Sequence, residues 1–273
     1  MNDNPVKRKL RSGGVAMGVM VMEFATTGIG RLSAEAGAEF AVFDMEHTGW
    51  SLETIKMLIA TSRSVDLVPI VRPPVTDYHH IAHAMDVGAM GLLIPLVGSA
   101  EQIRFAIECA SYPPRGKRGC AFGMSHDDYK LGDQAEKIRK ANDELLVIAQ
   151  IETVEGLENV DAIAAVDGVD ALWLGQFDLT TSLGIPGQFD HPKFTDAVRR
   201  VLDACQKHGK AATLAGLDVA ELAAGPANGF RLLVYLADLW IYQQALRKCF
   251  GTIREPALAN QSSIDDKGST RSE

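Results

Sequence analysis

The stretch LLVIAQIETVEGLENVDAIAAVDGVDALWLGQFDLTTS, residues 145–182, decides the fold class of this chain. It contains two short apolar runs, Leu145–Ile151 and Ala171–Gly175, separated by the amphipathic segment Gly156–Val166. Both runs lack the strict in-and-out alternation of a half-exposed strand, which is typical of parallel strands covered on both faces. The stretch therefore predicts a strand–helix–strand unit.

The same alternation extends from residue 15 to residue 250 and yields eight strand–helix pairs. Eight such pairs close into a barrel, whereas a doubly wound open sheet normally has fewer strands and a glycine-rich phosphate turn after the first one. That turn is not present, because Gly28-Ile29-Gly30 is followed by Ser33 where the pattern needs Gly or Ala. We therefore predict an α/β protein of the (β/α)₈ TIM-barrel class over residues 15–254. The strand candidates are Val15–Met22, Phe40–Asp44, Leu67–Val71, Gly91–Val97, Leu145–Ile151, Ala171–Gly175, Ala211–Leu214 and Phe230–Leu236.

The composition limits the classes of partner. The chain has 273 residues, 27 Lys and Arg against 35 Asp and Glu, and a formal net charge of −8, which argues against a nucleic-acid-binding surface. No apolar run reaches the roughly 18 to 20 residues that span a bilayer, and the N-terminal residues lack the apolar core of a signal peptide. We expect a cytoplasmic protein that binds no membrane. Residues 1–14 predict a flexible leader, and the polar residues 255–273 predict a disordered tail.

Polar side chains follow several of the predicted strands. Active sites of (β/α)₈ barrels form at the carboxyl ends of the strands, so these side chains are expected to share one rim. Glu152 and Asp178, from adjacent strands, offer two hard oxygen ligands for a divalent cation such as Mg²⁺ or Mn²⁺ that also holds substrate and water. The alternative is that Glu152 pairs with Arg72 and Asp178 caps the following helix. The rim set is His47, Arg72, Gln150, Glu152 and Asp178.

Six collinear strings carry a resemblance to a known family. They are FDMEHTGWS (43–51), VRPP (71–74), AMDVGAMGLLIPLV (84–97), SYPPRGKRG (111–119), KANDELLVIAQIET (140–153) and GVDALWLGQFDLTTSLG (168–184). With these strings the chain resembles the HpcH/HpaI aldolase/citrate lyase family, in particular its pyruvate-dependent class II aldolases. The resemblance runs in order from about residue 18 to residue 250 and implies a (β/α)₈ barrel.

The resemblance also implies roles for individual residues. Glu152 and Asp178 match the ligands of a divalent cation (Mg²⁺, Mn²⁺ or Co²⁺), and Arg72 matches the arginine that stabilises an enolate oxygen. His47 matches the base and Asp86 the carboxylate paired with it. Gln150 matches a contact to substrate or to metal-bound water. The donor carboxylate would bind at Gly175, Gln176 and Phe177, where the family commonly has Gly-Pro-Ala before the aspartate, so this chain departs from the pattern at two positions.

The implied activity is the reversible cleavage of a 4-hydroxy-2-oxo acid to pyruvate, or a related 2-oxo acid, and an aldehyde. Two alternatives stay open: a lyase acting on a coenzyme A thioester, with Arg115–Arg118 as the basic candidate for the nucleotide, and a non-catalytic barrel that binds a 2-oxo acid. A Schiff-base aldolase is disfavoured because no lysine ends a predicted strand. The resemblance further implies a homo-oligomer, often a hexamer built from dimers that exchange the C-terminal helix.

Overall fold

Eight parallel strands form a closed barrel in which each strand pairs with the next along the chain and β8 pairs with β1. The computed structural model describes residues 3–268. The predicted barrel and its strand count are confirmed. The strands are β1 (Ala16–Val21), β2 (Phe40–Asp44), β3 (Val68–Arg72), β4 (Gly91–Ile94), β5 (Leu146–Ile151), β6 (Ala171–Leu174), β7 (Ala211–Gly216) and β8 (Phe230–Tyr235).

Helices surround the barrel and separate successive strands. They are α1 (Pro5–Arg11), α2 (Ile29–Glu35), α3 (Leu52–Arg63), α4 (Tyr78–Asp86), α5 (Ala100–Ala110), α6 (Gln134–Glu144), α7 (Val154–Glu158), α8 (Val160–Ala164), α9 (Gln176–Ser182), α10 (Pro192–His208), α11 (Val219–Ala224) and α12 (Asp238–Gly268). Ser51 caps α3, since its hydroxyl accepts the Thr54 N–H at 3.3 Å and so satisfies one free donor of the helix. None of the described helices is both long enough and apolar enough to cross a bilayer.

Two apolar layers hold the barrel together. Residues such as Phe40, Ile70 and Ile148 fill its interior, and a larger cluster packs between the strands and the helices. Because every strand is therefore covered on both faces, the strand sequences are continuously apolar, as the sequence indicated. The register places the last residues of neighbouring strands side by side, for example Asp44 next to Arg72. This register brings strand-end polar groups onto one rim.

Residues Pro5–Arg11, within the segment expected to be a leader, form a helix. Helix α1 begins after Asn4, whose side chain accepts the Lys7 N–H at 3.0 Å. Val6 and Leu10 join the interior apolar cluster. Lys7 is 1% exposed, pairs with Asp170 at 2.9 Å and donates to the Leu145 carbonyl. Because these partners immediately precede β5 and β6, α1 covers the end of the barrel where the strands begin.

The connection between α5 and α6, residues 111–133, packs at that same end. Tyr112, Arg118 and His126 are buried there, and the Arg118 guanidinium lies 4.5 Å from the centre of the Tyr112 ring. Asp127 accepts hydrogen bonds from the Gly123 N–H at 2.8 Å and from Lys137 Nζ at 2.6 Å. Burial alone would raise the pKa of Asp127, but these hydrogen bonds outweigh it and lower the pKa to about 2.

Helix α12 starts where β8 ends and continues through Gly268, beyond the predicted boundary of the tail at residue 255. Residues 269–273 of that tail lie outside the described residues. Near its start, α12 carries Trp240 and Tyr242, and the Tyr242 ring packs edge-on against Phe24 at 5.6 Å between ring centres. The first turns of α12 therefore lie over the carboxyl ends of β1 and β8.

Candidate active site

A cavity of about 330 Å³ opens at the carboxyl ends of the strands. Seven residues that the sequence singled out line it: His47, Arg72, Gln150, Gly175, Gln176, Phe177 and Asp178. Glu152, at the end of β5, contacts Gln150 directly beside the cavity. The remaining lining is apolar and comes from Met20, Met22, Trp173, Leu174, Ala215, Leu236 and Trp240. Because these positions belong to several strands, the closed barrel is what assembles the site.

Asp44 holds the guanidinium of Arg72 in place. Its carboxylate is fully buried at the end of β2 and accepts Arg72 Nε at 2.7 Å. The same carboxylate accepts the backbone N–H groups of Glu46 at 2.9 Å and His47 at 3.2 Å. One side chain therefore orders both the arginine and the turn that carries the histidine. The contacts of Asp44 with Glu46 and His47 are local, whereas its contact with Arg72 becomes visible only when β2 and β3 are paired.

Glu46 lies between Arg72 and His47. Its Oε2 is 3.1 Å from Arg72 Nη1 and 3.8 Å from His47 Nε2. Burial raises the pKa of the Glu46 carboxyl, although the nearby charges of Arg72 and His47 oppose that shift. The His47 side chain is 54% exposed, so its ring is accessible from the cavity. Glu46, rather than Asp86, is the carboxylate beside His47 in this chain.

Gln150 and Glu152 share one face of β5 and extend the polar surface from Arg72. Gln150 Oε1 accepts Arg72 Nη1 at 3.5 Å, and its Nε2 donates to Glu152 Oε2 at 2.5 Å. Glu152 Oε1 accepts the Leu96 N–H at 2.5 Å, and Leu96 has a φ of 52°, in the left-handed region. A backbone donor of this kind leaves no signal in the sequence. The contact nevertheless fixes the second oxygen of Glu152.

The environment of Glu152 fits a cation. The carboxylate is 2% exposed, and burial together with the charges of Glu46 and Asp178 raises its pKa to about 7, despite the hydrogen bond from Leu96. Among the described residues, neither Glu152 nor Asp178 forms a salt bridge with a basic side chain, so the predicted alternative, a pair between Glu152 and Arg72, is not formed. The described part of the chain also has no group of three His, Cys, Asp or Glu side chains placed to hold a metal ion by themselves. Two carboxylates that form no salt bridge suit a divalent cation whose remaining coordination positions are filled by substrate and water.

Gly175 is required by the position of Glu152. It precedes α9, and a methyl group added at its Cα would lie 2.6 Å from both Cβ and Oε2 of Glu152. Its φ of −79° is open to any residue, so only the close approach demands glycine. Gln176 and Phe177 follow in the first turn of α9, and Asp178 is exposed on the same turn, facing the Glu152 charge. No side-chain cap is formed at this helix start.

Asp86, which the resemblance pairs with His47, does not line this cavity and contacts Arg118 within the chain. It ends α4, which returns the chain to the start of β4, so it lies at the end of the barrel opposite the cavity. There its Oδ1 accepts Arg118 Nη2 at 2.6 Å. The pattern AMDVG carries no information about which end of the barrel its aspartate occupies.

A coenzyme A thioester lyase or a Schiff-base aldolase would need free basic side chains. The basic residues considered for these two activities contact other residues of the protein instead. Arg115 donates to the Asn142 carbonyl at 2.6 Å, Lys117 pairs with Glu108 at 3.2 Å, and Arg118 is committed to Asp86. Lys210, the lysine next to β7, donates to the Val169 carbonyl at 2.9 Å before that strand begins. A nucleotide groove at Arg115–Arg118 and a Schiff-base lysine in the cavity therefore find no support among the described residues.

Comparison with known proteins agrees with this geometry. A profile of the family described as HpcH/HpaI aldolase/citrate lyase matches residues 25–231. A 2-keto-3-deoxy-L-rhamnonate aldolase from Klebsiella pneumoniae subsp. pneumoniae is 30% identical over 243 residues, which cover 89% of this chain and 90% of that protein. The crystal structure of an HpcH/HpaI aldolase from Desulfitobacterium hafniense DCB-2 has a TM-score of 0.88 and 34% identity, covering 91% of this chain and 96% of that one. A family member from Burkholderia cenocepacia J2315 has a TM-score of 0.86 and 27% identity, covering 92% and 100%. The fold, the site and these similarities together show that the protein is an enzyme of the HpcH/HpaI aldolase/citrate lyase family.

Proposed function

We propose that the protein is a divalent-cation-dependent aldolase that reversibly cleaves a 4-hydroxy-2-oxo acid to pyruvate, or a related 2-oxo acid, and an aldehyde. One observation carries the proposal: a fixed guanidinium, an amide, an accessible imidazole and two carboxylates without basic partners converge on one cavity. The similarity to a 2-keto-3-deoxy-L-rhamnonate aldolase supports it.

Glu152 and Asp178 are the residues that would hold the cation, which we take to be Mg²⁺, Mn²⁺ or Co²⁺. The raised pKa of Glu152 expresses the cost of a buried carboxylate surrounded by other negative charges, and a cation would relieve that cost. When bound, a divalent cation supplies Lewis acidity to the 2-oxo group of the substrate. Gln150, which donates to Glu152, would hold that carboxylate in its ligating orientation.

Arg72 would stabilise the charge that develops on the substrate. In the cleavage direction the 4-hydroxyl loses its proton, the C3–C4 bond breaks, and its electron pair forms an enolate whose negative charge lies on the C2 oxygen. The Arg72 guanidinium is held in place at the cavity, because its Nε is bonded to Asp44 and its Nη1 lies 3.1 Å from Glu46 Oε2 and 3.5 Å from Gln150 Oε1. Preoriented donors of this kind contribute more than donors that must reorganise.

His47 would accept the proton of the 4-hydroxyl, directly or through a water. An imidazole can accept and return a proton near neutral pH, and this ring is accessible from the cavity. The Glu46 carboxylate, 3.8 Å from His47 Nε2, would stabilise the imidazolium that results. Protonation of the enolate at C3 then gives the 2-oxo acid and completes the reaction.

We also propose that the protein is a homo-oligomer that pairs through α12. The supporting observation is the number of large apolar side chains that this helix exposes: Tyr242 is 55%, Phe250 48% and Ile253 63% exposed. Multi-angle light scattering would give the number of subunits, and a monomer at micromolar concentration would contradict the proposal.

The activity is tested with protein stripped of metal by EDTA. We expect pyruvate release from a 4-hydroxy-2-oxo acid, followed with lactate dehydrogenase and NADH, to be lost on chelation and restored by Mg²⁺, Mn²⁺ or Co²⁺. Glu152→Gln should lose both activity and Mn²⁺ binding measured by calorimetry, whereas Glu136→Gln, an exposed carboxylate on α6, should keep both. Undiminished turnover by metal-free protein, or a pyruvate adduct trapped by borohydride, would refute the cation-dependent reaction. His47→Ala at the wild-type rate would refute its role as base.

A further inference from the structure

The two halves of the cavity differ in chemistry. Strands β3 and β5 and the segments after β2 and β6 contribute its charged and amide groups, including His47, Arg72 and Asp178. Strands β7, β8 and β1 are consecutive neighbours in the closed barrel. These strands, the residues directly after β1 and β8, and α12 contribute only apolar side chains to the lining: Met20, Met22, Ala215, Leu236 and Trp240.

Phe177 extends the apolar half across the mouth of the cavity. Its ring lies 6.3 Å from that of Trp240 and packs edge-on against Phe189 at 5.5 Å. Phe189 in turn packs against Phe194 at 5.6 Å. The Phe177 side chain is nonetheless 52% exposed, so it presents apolar surface rather than filling the core.

Asp238 holds the apolar half in a fixed arrangement. It is 7% exposed, and its carboxylate accepts the backbone N–H groups of Met22 at 2.9 Å and Phe24 at 2.8 Å. Asp238 is also the first residue of α12, the helix that carries Trp240. The buried carboxylate of Asp238 thus joins the segment that contains Met22 to the helix that contains Trp240. The apolar half of the cavity is therefore in place before substrate binds.

We infer that the aldehyde portion of the substrate carries a hydrocarbon group, alkyl or aryl, rather than a chain of hydroxyls. The inference rests on the proposed aldolase function and concerns the same cavity. The 2-oxo acid portion needs the polar half, because its carboxylate and ketone require a cation and a guanidinium. The substituent on C4 then extends toward the apolar half. Hydroxyl groups there would lose water without gaining partners, whereas a hydrocarbon gains by leaving water.

Two substrates with one carbon skeleton test the inference: 4-hydroxy-2-oxohexanoate and 4,5,6-trihydroxy-2-oxohexanoate, each with saturating Mg²⁺. Small apolar groups in a hydrophobic pocket change kcat/KM by about 10- to 200-fold. We therefore expect kcat/KM for pyruvate release to be at least roughly tenfold higher for the first substrate. Equal values, or a preference for the trihydroxy acid, would overturn the inference but leave the aldolase function intact. Release of pyruvate from neither substrate would overturn the proposed function and the inference with it.

Two substitutions test whether the apolar half of the cavity causes the preference for the hydrocarbon substrate. Phe177→Ala and Trp240→Ala should each raise KM for 4-hydroxy-2-oxohexanoate severalfold, and by more than they raise KM for the trihydroxy acid. Phe105→Ala, an aromatic truncation on the outer helix α5, should alter neither value. A loss of selectivity with unchanged melting temperature supports the inference. Unchanged selectivity in both cavity variants refutes it.

Discussion

Replacing Gly175 by alanine should damage catalysis through a single added methyl group. The new Cβ would lie 2.6 Å from Glu152 Cβ and 2.6 Å from Glu152 Oε2. Carbon atoms in ordinary contact are about 3.5–4.0 Å apart, so Glu152 would have to move by roughly 1 Å. A displacement of that size at a reacting centre can lower the rate by about 10²-fold, which corresponds to about 2.7 kcal/mol of transition-state stabilisation.

The assay is steady-state pyruvate release by Gly175→Ala with saturating Mg²⁺, alongside Mn²⁺ affinity and thermal unfolding. Because the φ of −79° suits alanine, the backbone itself should tolerate the change. We expect kcat/KM to fall by about a hundredfold, with cation binding weakened as well. The steric clash should also cost about 1–3 kcal/mol of unfolding free energy, so activity is measured well below the melting temperature.

Gly49→Ala is the matched control. Gly49 lies in the loop after β2, at the same end of the barrel, and a Cβ there meets nothing within 4 Å. This variant should retain wild-type kinetics and cation affinity. If Gly175→Ala also kept kcat/KM within about threefold of wild type, well short of the expected hundredfold loss, the reasoning from close approach to Glu152 would be refuted.

Three further predictions concern buried carboxylates. Asp44→Asn should lower the free energy of unfolding by about 3–5 kcal/mol and reduce kcat, because the buried guanidinium of Arg72 loses its charged partner; equal urea midpoints for variant and wild type would contradict this. The lowered pKa of Asp127 means that its stabilisation is complete above the unfolded pKa near 3.8 and is lost as pH falls through about 2. Asp127→Asn should therefore remove about 2 kcal/mol at pH 7, and denaturant titrations should show the gap to wild type narrowing below pH 3.8, whereas a gap independent of pH would oppose the assignment. Asp238→Ala should speed backbone hydrogen exchange at Met22 and raise KM more than it lowers kcat, and protection equal to wild type would show that the carboxylate does not hold this segment.

Much of the site was predictable because the relevant residues end strands. His47, Arg72, Gln150 and Asp178 follow apolar runs, and parallel strands in a barrel must bring their carboxyl ends to one rim. The sequence did not predict which of these side chains contact one another. Arg72 binds Asp44 and Glu46 instead of Glu152, a choice set by the register of β2 against β3. The Leu96 N–H that binds Glu152 depends on a left-handed backbone at a leucine, for which the sequence has no marker.

The sequence by itself determined the number of strands, their parallel arrangement and the end of the barrel where the chemistry lies, because each follows from local hydrophobic periodicity and chain order. Only the tertiary structure showed that Asp86 pairs with Arg118 and that α1 covers one end of the barrel. The same is true of the hydrogen bond by which Asp238 joins the end of β1 to α12. These contacts join residues far apart in the chain, as with Met22 and Asp238, which are 216 positions apart. Their formation depends on three-dimensional packing, in which every buried charge or donor must find a partner, and local sequence does not specify which partner that is.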